Sequence, residues 1–352
     1  MTAPADTDAW DALVEASDPG SYLQLSGWAR VKAVNGWSSE RLLAADRVGA
    51  QILIRRPRPL PWAFAYAPRG PLGGGWTSDD ISSFTNMART ELPRAAGRVS
   101  HLRIDPEVEV DGPRDPDGST RRALQANGWQ PAPPIQPSST RVIDLRPDEE
   151  SLWGDLRKKW RQYVNKARSA GVVVVDAEGD RLGEFYRIYR ETADRAGFLI
   201  RTEAAYRDVW EAFRPSGRAR LLFAQASDGE PSATLFLVRS GTRVVEPYGG
   251  MTQTGADTRA NYLLKWEAIR SSRDAGAETY DLWGHATGGI AHFKTGFGGR
   301  EVRYIGAWDL VLDPLGRRVY GAAVAARTWW ARRGHGLRGG ASASAFSGEG
   351  AD

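Results

Sequence analysis

Residues 42–70 read LLAADRVGAQILIRRPRPLPWAFAYAPRG, and residues 221–249 read LLFAQASDGEPSATLFLVRSGTRVVEPYG. Each stretch alternates short apolar runs with Gly, Pro and Asp turn signals. Each therefore predicts three strands, the third ending in an aromatic residue and a glycine. A helical pattern follows in both places, Asp79 to Ala96 before Gly97 and Arg259 to Ala275 before Gly276. After each glycine comes a further apolar run, His101 to Asp105 and Tyr280 to Gly284. Leu42 with Leu221, Gly70 with Gly249 and Gly97 with Gly276 share one offset of 179 residues. The shared offset predicts a duplicated unit. Three meandering strands, a helix and a crossover strand predict an acyltransferase-like α/β (α+β) fold, with helices covering the sheet.

The boundaries follow from composition. Residues 131–139, PAPPIQPSS, form a proline-rich linker between a first domain, 1–139, and a second, 140–305. Residues 140–145 predict a strand entering the second domain. The spans 156–170 and 183–196 predict helices. Strand 306–312 and a basic amphipathic helix, 317–333, are expected to complete the first domain. From Gly334 the chain is rich in Gly, Ala and Ser, a composition that predicts disorder.

Composition narrows the chemistry. The chain has 352 residues, a net charge of +4, 14 Trp and no Cys. Disulfide and thiolate chemistry are excluded. The four histidines, His101, His285, His292 and His335, show no zinc spacing. No signal-peptide pattern opens the chain and no run of about 18 apolar residues occurs, so a cytoplasmic protein is expected. Only six lysines stand against 41 arginines. One of them, Lys294, lies in Phe293-Lys294-Thr295-Gly296-Phe297-Gly298-Gly299. A compact ammonium placed there in so arginine-rich a chain is a candidate for function, with a solvated lysine on a glycine turn as the plain alternative.

Nine stretches in order resemble the Fem family of peptidoglycan-bridge aminoacyltransferases, the FemX/FemA/FemB type. They are SYLQLSGWARVKAVNGW (21–37), YAPRGPL (66–72), RIDP (103–106), KKWRQYVNKARSAGV (158–172), ETADRAGFLIR (191–201), YGG (248–250), ANYLLKWEAI (260–269), YDLWG (280–284) and FKTGFGG (293–299). The resemblance implies two tandem acetyltransferase-like (GNAT-type) domains facing one groove. It also implies transfer of an amino acid from aminoacyl-tRNA to a side-chain amine of a cell-wall precursor's stem peptide. FemA-type members carry a long helical hairpin in the second domain. Residues 182–221 leave no room for one, so the compact FemX form is expected.

Aminoacyl-tRNA is an activated ester that an amine attacks directly, so no enzyme nucleophile and no cofactor is expected. An oxyanion must be stabilised, and the resemblance supports Lys294 in that role, with Phe293 packing on the terminal adenosine or the aminoacyl group. Asp105 is a candidate base at the end of the first crossover strand, with Asp281 as its near counterpart. The substrate's own carboxylate is the other possibility. Lys32 and Arg201 match the family's phosphate-gripping positions. Arg69, Tyr206 and Tyr248 are further acceptor-side candidates. Lys158, Lys159, Arg161 and Lys166 form a basic helix face suited to RNA phosphates or simply to solvent. The last helix combines Arg with Trp329 and Trp330, which suits either packing or a peripheral contact with the inner membrane face. The acceptor stays open between a nucleotide-linked and a lipid-linked precursor, and the transferred residue among Gly, Ala and Ser. Rival readings are an acetyl-CoA-dependent N-acyltransferase, a tRNA-dependent maker of natural-product or resistance-type precursors, and a non-enzymatic RNA- or precursor-binding module.

Overall fold

A computed structural model describes residues 6–45, 47–177, 181–226, 229–284 and 289–335. The chain divides into two compact units, 1–138 with 303–352, and 139–302. In chain order, unit 1 contains α1 (Thr7–Ala16), α2 (Ser26–Ala33), β1 (Ser38–Ala44), β2 (Val48–Arg55), β3 (Ala63–Ala67), β4 (Leu72–Gly73), α3 (Ser78–Ala96), β5 (Val99–Ile104), α4 (Ser119–Ala126) and β6 (Trp129–Ala132). Unit 2 follows with β7 (Ser139–Asp144), α5 (Glu149–Asp155), α6 (Lys158–Ser169), β8 (Val173–Asp176), α7 (Leu182–Ala196), α8 (Glu203–Phe213), β9 (Ala219–Gln225), β10 (Pro231–Ser240), β11 (Arg243–Met251), α9 (Gln253–Thr258), α10 (Ala260–Asp274), β12 (Thr279–Asp281), α11 (Gly289–Thr295) and β13 (Arg300–Arg303). The chain then returns to unit 1 with β14 (Ala307–Val311) and α12 (Pro314–His335).

Both sheets have the same order. Unit 1 runs β1-β2-β3-β5-β14-β6, with β4 beside β2. Unit 2 runs β9-β10-β11-β12-β7-β13, with β8 added beyond β9. The first three strands are antiparallel in each, and the strand after the long helix pairs in parallel, β3 with β5 and β11 with β12. The fifth strand of each sheet is antiparallel to the fourth. That fifth strand comes from elsewhere in the chain: β14 follows unit 2, and β7 follows β6 of unit 1.

The two meanders quoted above are β1–β3 and β9–β11. α3 starts with a capping box, the Thr77 side chain receiving the Asp80 N–H while Asp80 accepts from the Thr77 backbone. It ends at Gly97, whose φ of 67° only glycine adopts readily. The predicted helix 259–275 is α10, and a short helix that the sequence did not signal, α9, precedes it. Arg259 between them is left-handed, with φ 64°. Its guanidinium lies over Tyr163 at 4.8 Å and returns a hydrogen bond to the Ala256 carbonyl, 3.0 Å, which holds the break. The strand expected over 280–284 closes at Asp281. Between Leu182 and Leu221 stand only α7 and α8, of 15 and 11 residues. The tail assigned from Gly334 falls, from residue 336 on, outside the described residues, as does His285; so do the side chains of Arg327, Trp330, Arg332 and Arg333.

Each unit has its own core. In unit 1, Ala50, Ile52, Phe84, Leu92, Leu102 and Leu310 are fully enclosed between sheet and helices. In unit 2, Val164, Leu264, Trp266, Tyr280, Leu282 and Phe297 do the same. Each large apolar side chain so buried contributes roughly 1.5–3 kcal/mol.

Candidate active site

The glycines of FKTGFGG are fixed by packing. A Cβ on Gly296 would stand 2.3 Å from the Trp160 indole, so only glycine lets the turn reach α6. Trp160 Nε1 donates to the Phe293 carbonyl, 3.0 Å, and the Arg157 amide donates to the Gly296 carbonyl, 2.9 Å. Gly299 is left-handed at φ 69°, and its Cβ would press on the Val142 carbonyl of β7. The motif is thus held on two sides before Lys294 is considered.

Lys294 is 9% exposed. Its Nζ donates to the carbonyls of Trp283 (2.5 Å) and Gly284 (2.7 Å). Trp283 is left-handed, φ 47°, a strained conformation for a bulky side chain. An ammonium has three N–H donors, and among the described residues the third meets no acceptor. Burial and the like charge of Lys265 lower its pKa to about 8, against Glu246 and Asp281, which pull the other way. Phe293, half-buried, meets Tyr262 edge-on at 5.0 Å and Phe297 at 5.2 Å.

Glu246, Lys265 and Tyr280 lie behind this pair, and none was singled out in the sequence. The register of β10 on β11 jumps from Phe236–Tyr248 to Val238–Val245, so Glu246 and Pro247 form a bulge opposite Leu237. The bulge buries Glu246. Its Oε1 is ion-paired with Lys265 Nζ, and its Oε2 accepts from the Tyr280 hydroxyl, 2.7 Å. The Lys265 ammonium also stands 5.7 Å from the Phe293 ring centre. Burial lowers the pKa of Lys265 and, with Glu246 beside it, raises that of Tyr280 well above the usual phenol range. A lysine inside the apolar run LLKWEAI was the available signal. Asp281 is a structural anion. Burial would raise its pKa, but Arg243, the Thr140 hydroxyl and the Trp283 N–H outweigh this and hold it below the usual carboxylate range.

A second group in unit 2 contains Arg201, Tyr206 and Tyr248. The rings of Tyr206 and Tyr248 are buried and meet edge-on at 5.0 Å. The Tyr206 hydroxyl accepts from the Arg201 backbone N–H, 3.1 Å, so Tyr206 positions the segment that carries the guanidinium. On α6, Lys158, Lys159 and Lys166 are exposed. Arg161 departs from the expected RNA-facing role. Its Nη1 donates to the carbonyls of Trp153 (3.3 Å), Gly154 (2.7 Å) and Leu156 (2.7 Å) at the end of the short helix α5.

Unit 1 gathers Arg69, Asp105, Glu107, Tyr66 and Tyr304. Arg69, 2% exposed, is 3.5 Å from Glu107, stacks on Tyr304 at 4.7 Å and donates to the Pro137 carbonyl, 2.8 Å. Gln24 of the SYLQ stretch supports the turn beside it, its amide donating to the Pro68 (2.7 Å) and Gln51 (3.2 Å) carbonyls and accepting from Gln51 N. Asp105 Oδ2 accepts from the Tyr66 hydroxyl (2.8 Å), Ile135 N (3.1 Å) and Gln136 N (3.2 Å). Burial raises its pKa against Arg69 and these donors. Lys32 is buried on α2 with its ammonium 5.2 Å from the Trp28 ring. Among the described residues no group of three or more His, Asp or Glu could hold a metal ion.

Residues 154–295, which contain Lys294, match the family model of the acetyltransferase (GNAT) domain. With two sheets of one order, the chain has a tandem acetyltransferase-like (GNAT-type) fold. It is 28% identical over 232 residues to the lipid II:glycine glycyltransferase of Staphylococcus saprophyticus subsp. saprophyticus, a match covering 62% of this chain and 54% of the relative. It is 26% identical over 233 residues to the protein of the same name from Staphylococcus aureus (strain MRSA252), with the same shares. The chain thus spans about half the length of the curated relatives it matches. Its fold is similar to the crystal structure of FemX, with a TM-score of 0.82 at 20% identity over 92% of this chain and 99% of that one. The sequence similarity is to these glycyltransferases, and the likeness to FemX is one of fold.

Proposed function

We propose that this chain transfers an aminoacyl group, glycyl first among the candidates, from aminoacyl-tRNA to an amine on the stem peptide of a lipid-linked peptidoglycan precursor. The observation that carries the reading is the Lys294 ammonium: buried, braced by two carbonyls and, among the described residues, with a third donor that meets no acceptor. The acceptor amine attacks the ester carbonyl, the C–N bond forms, and the carbonyl oxygen becomes an oxyanion. The third Lys294 N–H stabilises that charge, where low dielectric makes one aimed donor effective. Collapse breaks the C–O bond to the ribose, and the proton lost by the amine goes to the departing ribose oxygen. Phe293 offers a face to the terminal adenosine. In unit 2, Arg201 is the acceptor-side cation, and Lys158, Lys159 and Lys166 face the RNA phosphates. No cofactor besides the charged tRNA enters.

The acetyl-CoA alternative needs open backbone N–H groups at a helix start. At α3 these are already met by a carboxylate, Asp80 accepting from Gly75 N (2.9 Å) and Thr77 N (3.3 Å). Among the described residues no helix is long and apolar enough to cross a membrane. Exposed Leu315 and Trp329 beside Arg318 on α12 would suit a peripheral contact with an anionic surface. The test is incubation with individually charged tRNAs and with lipid-linked or nucleotide-linked precursor, followed by mass spectrometry. A glycyl gain on the precursor is expected. A gain only with acetyl-CoA would overturn the reading.

A further inference from the structure

We infer that Glu246, Lys265 and Tyr280 form a buried positioning cluster that fixes the place of the Phe293-Lys294 pair. The inference rests on the reading of Lys294 as the oxyanion cation. None of the three reaches the reacting atoms in this account; they act through Lys294 and its neighbour.

Stability alone gives little reason for the cluster. Desolvating two charges costs several kcal/mol per ion, and an apolar pair of the same volume is often as stable or more so. α10 has apolar neighbours on both sides of Lys265, Leu264 and Trp266, both buried. A bulge in β11 nevertheless brings Glu246 inward to meet it. Both carboxylate oxygens are then occupied, one by Lys265 and one by the Tyr280 hydroxyl, so the carboxylate cannot rotate freely. The clamped ammonium faces the Phe293 ring, a cation–π contact strengthened by desolvation. Lys294 is the next residue. The charged groups facing it are Lys265 from α10, Glu246 from β11 and Asp281 from β12. Lys265 disfavours its charged form more than Glu246 favours it. The cluster therefore both orients the pair and leaves its ammonium ready to release or share a proton near neutral pH.

The test uses the full chain labelled with 13C- and 15N-lysine. Only six lysine signals exist, and the one lost in Lys294→Met identifies Lys294. In Lys265→Met the Lys294 titration is expected to rise from about 8, part of the way towards the ordinary lysine value of ~10.4, because the burial remains. In Glu246→Gln it falls. The alkaline limb of aminoacyl transfer moves the same way in each variant, and kcat drops more than KM. Should Lys265→Met not fold, the double variant Lys265→Met/Glu246→Gln leaves neither charge alone in the core and still moves Lys294 upward, by less. A Lys294 titration that stays put in these folded variants, or moves the same way in Lys265→Met and Glu246→Gln, overturns the inference. The two readings fail separately. Opposite shifts without any acyl transfer by the wild type would sink the proposed function and leave the cluster standing. Transfer that Lys294→Met abolishes, with Lys294 unmoved in the cluster variants, would sink the cluster alone.

Discussion

In unit 1 two buried carboxylates, Asp105 and Glu107, stand around one guanidinium, Arg69. In unit 2 two buried ammonium groups, Lys265 and Lys294, stand around one carboxylate, Glu246. Each cluster also has a tyrosine donating to a carboxylate, Tyr66 to Asp105 and Tyr280 to Glu246. The strand frame is common; the charged side chains that occupy it differ. Burial is the first cause of both shifts, Asp105 driven up and Lys294 driven down; the like charge of Lys265 adds to it at Lys294, whereas Arg69 opposes it at Asp105. One sheet plan, written twice, therefore yields one site inclined to hold a proton and one inclined to give it away. The difference comes from a few side chains at the parallel strand pair, not from the topology.

The comparison breaks most severely if its central charges are removed. Arg69→Met leaves Glu107 and Asp105 buried without their cation and should cost unit 1 about 3–5 kcal/mol, read by denaturant unfolding. A loss below about 1 kcal/mol would mean the two carboxylates are not coupled through Arg69. Lys294→Met should lower turnover on the order of 10²–10³ with the fold retained, because one oxyanion donor is lost. Steady-state transfer with charged tRNA checks this, and near-normal turnover would reduce Lys294 to a brace for the Trp283–Gly284 carbonyls. Gly296→Ala pushes a methyl into Trp160 and should destabilise unit 2 by about 1–3 kcal/mol, detected as a lower Tm. Turnover in that variant should fall as the motif shifts.

The smallest effects are in pH, and they separate the units. His101 is pushed down to about 3 by burial, with Asp309 opposing. The unfolded imidazole protonates near ~6.5, so unit 1 loses stability as pH falls from there towards 3. Lys294 has its folded value below its unfolded one as well. Between about 8 and ~10.4 the unfolded chain binds more protons, so unit 2 gains stability as pH rises through that window. Activity runs the other way, since the charged ammonium is needed, and should decline above about pH 8. Unfolding curves of wild type and Lys294→Met across pH 7–11 should diverge in that window. Parallel curves would contradict the lowered value.

Both meanders, both long helices and the crossover strands were readable from turn residues and spacing, because backbone propensity and apolar alternation decide them locally. The short helix α9 ahead of the second long helix was not, since the left-handed turn at Arg259 that joins the two is held by Tyr163 from a helix nearly a hundred residues earlier. Lys294 was visible as a lysine among aromatics and glycines. Glu246 was not, because a charge in VVEPYGG looks the same whether it faces water or a partner, and Lys265 left only the weak signal of a lysine inside the apolar run LLKWEAI. The burial of that pair is decided by a bulge that pairwise register, not composition, creates. Arg161 shows the same limit in reverse: a basic residue on a basic helix proved to satisfy three carbonyls.

The return of the chain to unit 1 at β14 has a consequence for biosynthesis. As the polypeptide leaves the ribosome, β5 and β6 emerge with the place between them vacant, and it stays vacant until residue 311 has been made. The later half can close its sheet when β13 appears, a few residues before the earlier half can. The usual vectorial order, N-terminal part first, is thereby reversed in its last step. For most of translation the newborn protein carries two open strand edges that invite wrong pairing, which makes this interval the one in which a chaperone would matter most.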